Sequence, residues 1–375
     1  MPWHACAAPV SDLVGPAPSP IGCPLPRSRA ATLRTPAALA AAGLVADPQI
    51  AALEAVAARY AVAITPAMAE LIDPLDPHDP IARQFVPDPA ELEAGPHEAA
   101  DPIGDAAHSP VQGIVHRYPD RVLIKPVHAC PIYCRFCFRR EVVGPGGEGT
   151  LAPAELAVAL AYIAARPEIW EVVVTGGDPL IMTPRRLRSL AGSLAAIGHV
   201  GVVRWHTRVP VVAPERIGDE LVAGLRAAGA ATWLVVHVNH PRELAPAAVR
   251  ALGRLVDAGI PVLSQSVLLR GVNDDPAVLG ALMRRLVEAR VKPYYLHHLD
   301  PAPGTARFAT SIADGQAIMR ALRGRYSGLC QPCYVLDLPG GHGKVPIGPG
   351  YLEADGDGLA VRDPDGRRHR HSPRG

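Results

Sequence analysis

Hydrophobic and polar positions change character along the chain. From about residue 121, short apolar runs alternate with longer stretches of helical spacing. The runs VLIKPV (122–127), EVVVTG (171–176), VGVVRWH (200–206), TWLVVHV (232–238), IPVLSQSV (260–267) and KPYYLHHL (292–299) are rich in β-branched residues and read as strands. Between them, helical patterns fall near 153–165, 184–197, 214–229, 243–258, 276–290 and 312–325. Strands that do not simply alternate polar and apolar, separated by helices, imply a parallel sheet covered by helices. The fold class is therefore α/β, and six units suit a partial (β/α)6 barrel better than a closed eight-unit one. Ligands collect at the C-terminal ends of such strands. There lie three cysteines after the first strand, GGDP after the second, and His297, His298 and Asp300 after the sixth.

The flanks differ. Residues 1–32 are rich in Pro, Ala and Ser without a lasting period and read as a flexible arm. Residues 33–110 begin with Leu39, Leu44, Ile50, Leu53 and Val56 at loose helical spacing. They continue through DPLDPHDPIARQFVPDP, an extended wrap with short helices. The core barrel is expected over 111–327 and a C-terminal segment over 328–375, whose tail reads as a short β-hairpin with a basic, flexible end. No repeat of 20–50 residues is present.

Composition narrows the function. With 375 residues, 49% hydrophobic and 19% charged, the chain can bury a large core. Lys+Arg 37 against Asp+Glu 36 gives no basic excess for nucleic acid. No apolar run is long enough to predict a membrane span, and MPWHACAAPV lacks the plan of a secretory signal. Seven cysteines, three of them at 130, 134 and 137, are not a disulfide framework. They point to a reducing, cytoplasmic setting and a metal or cluster site.

The string HACPIYCRFCFRR (128–140) carries C-x3-C-x2-C after a strand. Three thiolates on a four-iron cubane leave one iron open for a ligand. Zinc with His128 as fourth donor, or chance clustering, are the other readings. Cys330 and Cys333 form a C-x2-C near the last core strand and read as buried thiols. Lys344 lies in LPGGHGKVP, which is not a phosphate loop, because Leu338 and Val345 stand where Gly and Ser or Thr are needed. A lysine amine can join a carbonyl cofactor covalently, though a lysine after a glycine turn is more often surface.

Together these strings carry a resemblance. The cysteine spacing with Phe136 before the third cysteine resembles the radical S-adenosylmethionine enzymes. YCRFCFRR, with HRYPDR, GGDPL, HVNHP, QSVLLRGVND, PYYLHHLD and PGGHGK in order over 107–350, resembles the lysine 2,3-aminomutase family. The resemblance implies a [4Fe-4S] cluster on Cys130, Cys134 and Cys137. Its open iron would chelate S-adenosylmethionine, whose cleavage yields a 5′-deoxyadenosyl radical. Gly176, Gly177 and Asp178 would lie against the methionine portion, where glycine permits close backbone approach; a plain turn is the bland reading. Lys344 would carry pyridoxal 5'-phosphate, held by Arg117, Tyr118, Arg121 and Gln265. Alone, Tyr-Pro-Asp-Arg is a cationic turn and Gln265 a structural amide. Arg139 would grip the substrate carboxylate, while Asp300 and Asp337 would hold the distal ammonium of lysine. Asp300 could equally belong to a turn and Asp337 to a strand-end cap. A glutamate-directed relative should lack this anionic pair.

The implied activity is an isomerase that moves the 2-amino group of L-lysine to C3, giving β-lysine, with a reductant such as flavodoxin or ferredoxin. The short C-terminus also resembles the branch that supplies β-lysine to elongation factor P. A cluster- or zinc-binding scaffold without catalysis is the reading from a different class. The sequence departs from the longer family members. No cysteine follows Cys333 and Leu252 stands on the expected partner helix, so no C-terminal zinc is expected and the family's homo-oligomer interface is in doubt.

Overall fold

The structure, a computed structural model, describes residues 31–93, 95–144, 149–226, 230–356 and 358–371. The arm expected at 1–32 falls almost wholly outside the described residues, as do the last residues of the basic tail, 372–375.

A 9-stranded sheet runs in sequence order. Its strands are β1 (Ile114–Tyr118), β2 (Arg121–Val127), β3 (Glu171–Gly176), β4 (Val202–Thr207), β5 (Ala231–His237), β6 (Val262–Val267), β7 (Lys292–His297), β8 (Cys333–Leu338) and β9 (Gly343–Pro346). Strands β2 to β8 are parallel, and β1 and β9 close the two edges antiparallel. The six expected strands are β2–β7. The seventh, β8, pairs in parallel with β7 through Tyr295–Cys333, Leu296–Tyr334 and His297–Val335. Its run CYVLDL is short and carries polar ends, which hid it among the residues assigned to the C-terminal segment.

The strand period sorts the side chains. Val172 and Val174 on β3, Val203 and Trp205 on β4, and Leu234 and Val236 on β5 are fully buried in the core shared with the helices. Their neighbours Val173, Thr175, Arg204, His206 and His237 face the interior of the curved sheet. The covering helices start where the sequence supplies caps. Asp275 accepts from the backbone of Ala277 and Val278 at the head of Pro276–Glu288, which buries Leu279, Leu282, Met283 and Leu286. Each such side chain contributes roughly 1.5–3 kcal/mol by burial. The helical stretch expected at 214–229 breaks into a short turn at Pro214–Arg216 and a helix at Asp219–Arg226; 227–229 lie outside the described residues.

The tail differs from the expected hairpin by one strand. Strands β10 (Leu352–Asp355), β11 (Gly358–Arg362) and β12 (Arg368–His371) form an antiparallel sheet. A turn at 363–366 adds the third strand, with Gly366 at φ 85° donating to the Asp363 carbonyl. Cys330 is buried, as expected. Cys333 is not, because it opens β8 at the exposed rim.

The N-terminal wrap is tied to the barrel by a buried charge. Glu91 is 0% exposed in its side chain and accepts from Arg135, inside the cysteine loop, at 2.5–3.0 Å, and from Arg140. Arg307, from the segment after β7, lies 3.5 Å away. Burial would raise the Glu91 pKa, but Arg135 and Arg140 outweigh it and hold the carboxyl below its ordinary value. Replacing Glu91 with Gln leaves guanidinium groups buried without their counter-charge. Urea unfolding should show a loss of about 3–5 kcal/mol; a loss below about 1 kcal/mol would contradict this role.

Candidate active site

One cavity of about 920 Å³ occupies the barrel interior and reaches past the C-terminal ends of the strands. Every site residue proposed from the sequence lines it. Cys130, Cys134 and Cys137 lie on its wall with Gly176, Gly177 and Asp178. Arg117, Tyr118, Arg121, Arg139 and Gln265 line it from other sides, as do Asp300, Asp337 and Lys344.

At the cysteine end, all three thiols are free. Arg208, at the end of β4, donates to Cys134 Sγ at 2.8 Å and pairs with Glu243 at 2.6 Å. Burial raises the pKa of each thiol, that of Cys137 to about 11. Loading iron must therefore release protons. Among the described residues, no group of three or more His, Cys, Asp or Glu side chains gathers around a single metal ion. Asp178 shares this wall, but its carboxylate is bonded within the protein, and the three thiols are the soft set suited to an iron–sulfur cluster.

The glycines next door answer to the backbone. A Cβ on Gly176, at φ 118°, would sit 2.4 Å from the Val127 carbonyl oxygen, and one on Gly177 would sit 2.2 Å from that of Ala129. The end of β3 thus lies directly against the chain leading into the cysteine loop. The carboxylate of Asp178 is engaged within the protein. It accepts from Leu180 N at 3.0 Å, Thr207 Oγ1 at 2.7 Å and Arg208 N at 2.6 Å, locking the ends of β3 and β4 together.

Lys344 approaches from β9. Its backbone N–H donates to Tyr118 Oη at 2.7 Å, so β1 fixes the strand that carries it. Its Nζ contacts Asp337 and lies 3.1 Å from His297 Nδ1. Burial would raise the Asp337 pKa, yet His297 and Lys344 outweigh it and bring it to about 2. Asp300 shows the opposite balance. Burial, then the nearby Asp337 charge, push its carboxyl up to about 7, and its Oδ1 is buried without a hydrogen-bond partner.

Two of the predicted arginines share one carboxylate. Asp105 accepts from Arg117 at 3.1 Å through Oδ1, and from Arg139 at 2.9 and 3.2 Å through Oδ2. Arg117 Nε is buried and unpaired, a donor left over for an anion. Arg121 instead stacks over the Tyr118 ring at 3.9 Å and pairs with Asp120 at 2.7 Å, which covers one face of that ring. Gln265 stands on β6 beside Tyr295 of β7 and lines the cavity. Asp105 and Arg208 escaped the sequence reading, while His297 stands where it was expected, with His298 and Asp300 at the end of β7. Asp105 sits in the Asp- and Pro-rich wrap, where an acid resembles turn chemistry. Arg208 carries only the inward strand period as a signal.

The donor sets fit the implied groups. Three thiols suit the cluster, and Lys344 with the spare Arg117 donor suits a phosphorylated aldehyde such as pyridoxal phosphate. The cavity of about 920 Å³ lies toward the upper end of the range of about 300–1,000 Å³ for ligand sites.

Comparison with known proteins agrees. Residues 124–279 match the Radical SAM superfamily model. The chain is 42% identical over 291 residues to L-lysine 2,3-aminomutase of Clostridium subterminale, covering 78% of this chain and 70% of that one. The same figures hold for the L-lysine 2,3-aminomutase of Acetoanaerobium sticklandii. Glutamate 2,3-aminomutase of Clostridioides difficile is 37% identical over 316 residues, 84% of this chain and 74% of that one. The chain belongs to the lysine 2,3-aminomutase family of radical S-adenosylmethionine enzymes.

Asp300 generates a pH prediction. An acid raised from 3.8 to about 7 by folding holds its proton more tightly in the native state. Its destabilising effect is absent below about pH 4 and complete by about pH 7. Relative to the cofactor-free parent, Asp300→Asn should gain stability from pH 4 to pH 7, by up to about 4 kcal/mol. Urea unfolding at both pH values measures this, and a constant difference would contradict it.

Proposed function

We propose that this chain isomerises L-lysine to β-lysine, using the cluster, S-adenosylmethionine and pyridoxal phosphate. The observation that carries the reading is one cavity lined by three free thiols, a lysine amine and two neighbouring carboxylates. When bound, the cluster and S-adenosylmethionine supply one-electron chemistry, and pyridoxal phosphate supplies a conjugated ring that stabilises an unpaired electron.

The chain's residues do the rest. Cys130, Cys134 and Cys137 hold the cluster, and the turn at Gly176, Gly177 and Asp178 shapes the wall beside it. Lys344 presents its Nζ to the aldehyde, while Arg117, Tyr118, Arg121 and Gln265 set the cofactor's position. Arg139 takes the substrate carboxylate in a bidentate grip. At the other end, Asp300 and Asp337 give the site negative charge where lysine carries its distal ammonium. Two fixed ends place the carbons between them. Apolar walls such as Val173, Val267 and Leu299 exclude water from the reacting centre. A reductant such as flavodoxin or ferredoxin belongs to this reading.

The test is anaerobic incubation with dithionite, S-adenosylmethionine and pyridoxal phosphate, offering lysine, ornithine or glutamate, with chromatography of the β-amino products. β-Lysine should dominate; conversion of glutamate in its place would overturn the substrate. Lys344→Ala should keep its iron, lose the visible band of the bound cofactor, and lose turnover by at least about 1,000-fold. Retained turnover would contradict the role given to Lys344.

A further inference from the structure

Arg208 follows β4 and joins the cysteine loop to two other parts of the chain. Its Nη1 donates to Cys134 Sγ at 2.8 Å. Its Nη2 donates to Gln84, in the N-terminal wrap, at 2.8 Å and to Glu243, in the turn after β5, at 2.6 Å. Arg208 is 6% exposed and Glu243 0%. The ring centres of Phe85 and Phe136 lie 4.7 and 5.6 Å from the central carbon of the guanidinium and help to keep water from it. Both ends of the pair are fixed. Asp178 accepts from the Arg208 backbone at 2.6 Å. Glu243 Oε1 accepts from the backbone of Asn239 at 3.0 Å and of His240 at 2.9 Å, and from Gln84 Nε2 at 3.0 Å. The cysteines are therefore not alike. Cys137 accepts from the Arg139 backbone, a neutral donor, whereas Cys134 meets a full positive charge that a buried carboxylate holds in place. Burying such a pair is costly where apolar side chains would pack as well.

We propose that Arg208 and Glu243 set the reduction potential of the cluster from opposite directions. Arg208 is a positioning residue whose charge, hydrogen-bonded to Cys134, favours the reduced cluster; Glu243 holds Arg208 and offsets part of that charge. This goes beyond the function proposed above and rests on its cluster. Reduction adds one electron, supplied by the low-potential carrier protein that serves as reductant, and the cluster with its thiolates becomes more negative. A cation 2.8 Å from one sulfur stabilises that charge, and a buried wall leaves little water to screen it. Glu243 is bonded to the other terminal nitrogen of the same guanidinium and acts with the opposite sign.

The experiment is a redox titration of anaerobically reconstituted protein without S-adenosylmethionine, followed by the electron paramagnetic resonance of the reduced cluster. All variants keep the three cysteines and should bind iron as the parent does. Arg208→Gln should lower the reduction equilibrium about tenfold, or about 59 mV for a one-electron couple. Arg208→Lys, which keeps the charge, should recover at least about half of that shift. Glu243→Gln should move the potential upward, by about threefold or more in the equilibrium. The double variant, Arg208→Gln with Glu243→Gln, leaves no charge unpaired and decides the matter if Arg208→Gln does not fold. Its potential should fall below the parent's. Single variants that shift the potential in the same direction, or a double variant that matches the parent, would overturn the proposal. Parent protein that holds no iron, or gives no reduced-cluster signal, would refute the cluster reading itself, an outcome separate from any variant's.

Discussion

A β-strand turns every second side chain to the same face, and in a curved parallel sheet that face is the inside of a barrel. This constraint organises the molecule. Outward positions on β3, β4 and β5 are valine, leucine and tryptophan, which the helices cover. Inward positions carry Arg204, His206, His237, Gln265, Tyr295 and His297, polar groups that would be costly anywhere else in the core. The interior must therefore be a place where polar groups meet ligands, and the loops at the strand ends complete it.

The sheet does not close on itself, since β1 and β9 are its two edges. Two polar links and one close backbone packing hold the gap. Tyr118 on β1 accepts from the Lys344 backbone on β9, and His108 Nε2 meets the Gly341 carbonyl at 3.1 Å. Gly104 packs so closely on Gly340 and Gly341 that a Cβ there would lie 2.5 Å from the Gly341 nitrogen. The residues before β1 thus support the loop that carries Lys344. Asp105, in the same segment, aligns Arg117 and Arg139 with one carboxylate. The wrap acts as part of the active-site wall, and Glu91 ties it to the cysteine loop.

Local patterns were legible in the sequence. The cysteine triplet is a contiguous motif after a recognisable strand, whereas the pairing of Asp337 with Lys344 was missed, because CYVLDL and GKVP were not read as a hairpin. The six parallel strands announce themselves by β-branched runs. Long-range chemistry was not legible. Glu91 lies far in sequence from Arg307, and nothing in PDPAEL marks its acid as a buried counter-ion. Asp178 matched a cofactor motif, yet its carboxylate is occupied by Thr207 and Arg208, contacts that depend on β3 and β4 lying side by side. Partners likewise separate Asp300 from Asp337, two aspartates that the sequence presents as equivalents: burial raises both carboxyls, but Asp337 is held by Lys344 and His297 across strands.

The central claim is that one interior holds an iron–sulfur cluster at the cysteine loop and pyridoxal phosphate on Lys344. Anomalous diffraction at the iron edge, from crystals of anaerobically reconstituted protein soaked with pyridoxal phosphate, measures both positions at once. Iron is expected beside Cys130, Cys134 and Cys137, with continuous density from Lys344 Nζ into the same cavity. Iron bound elsewhere, or a cofactor attached to Lys125 or Lys292, the other lysines of the chain, would contradict the account.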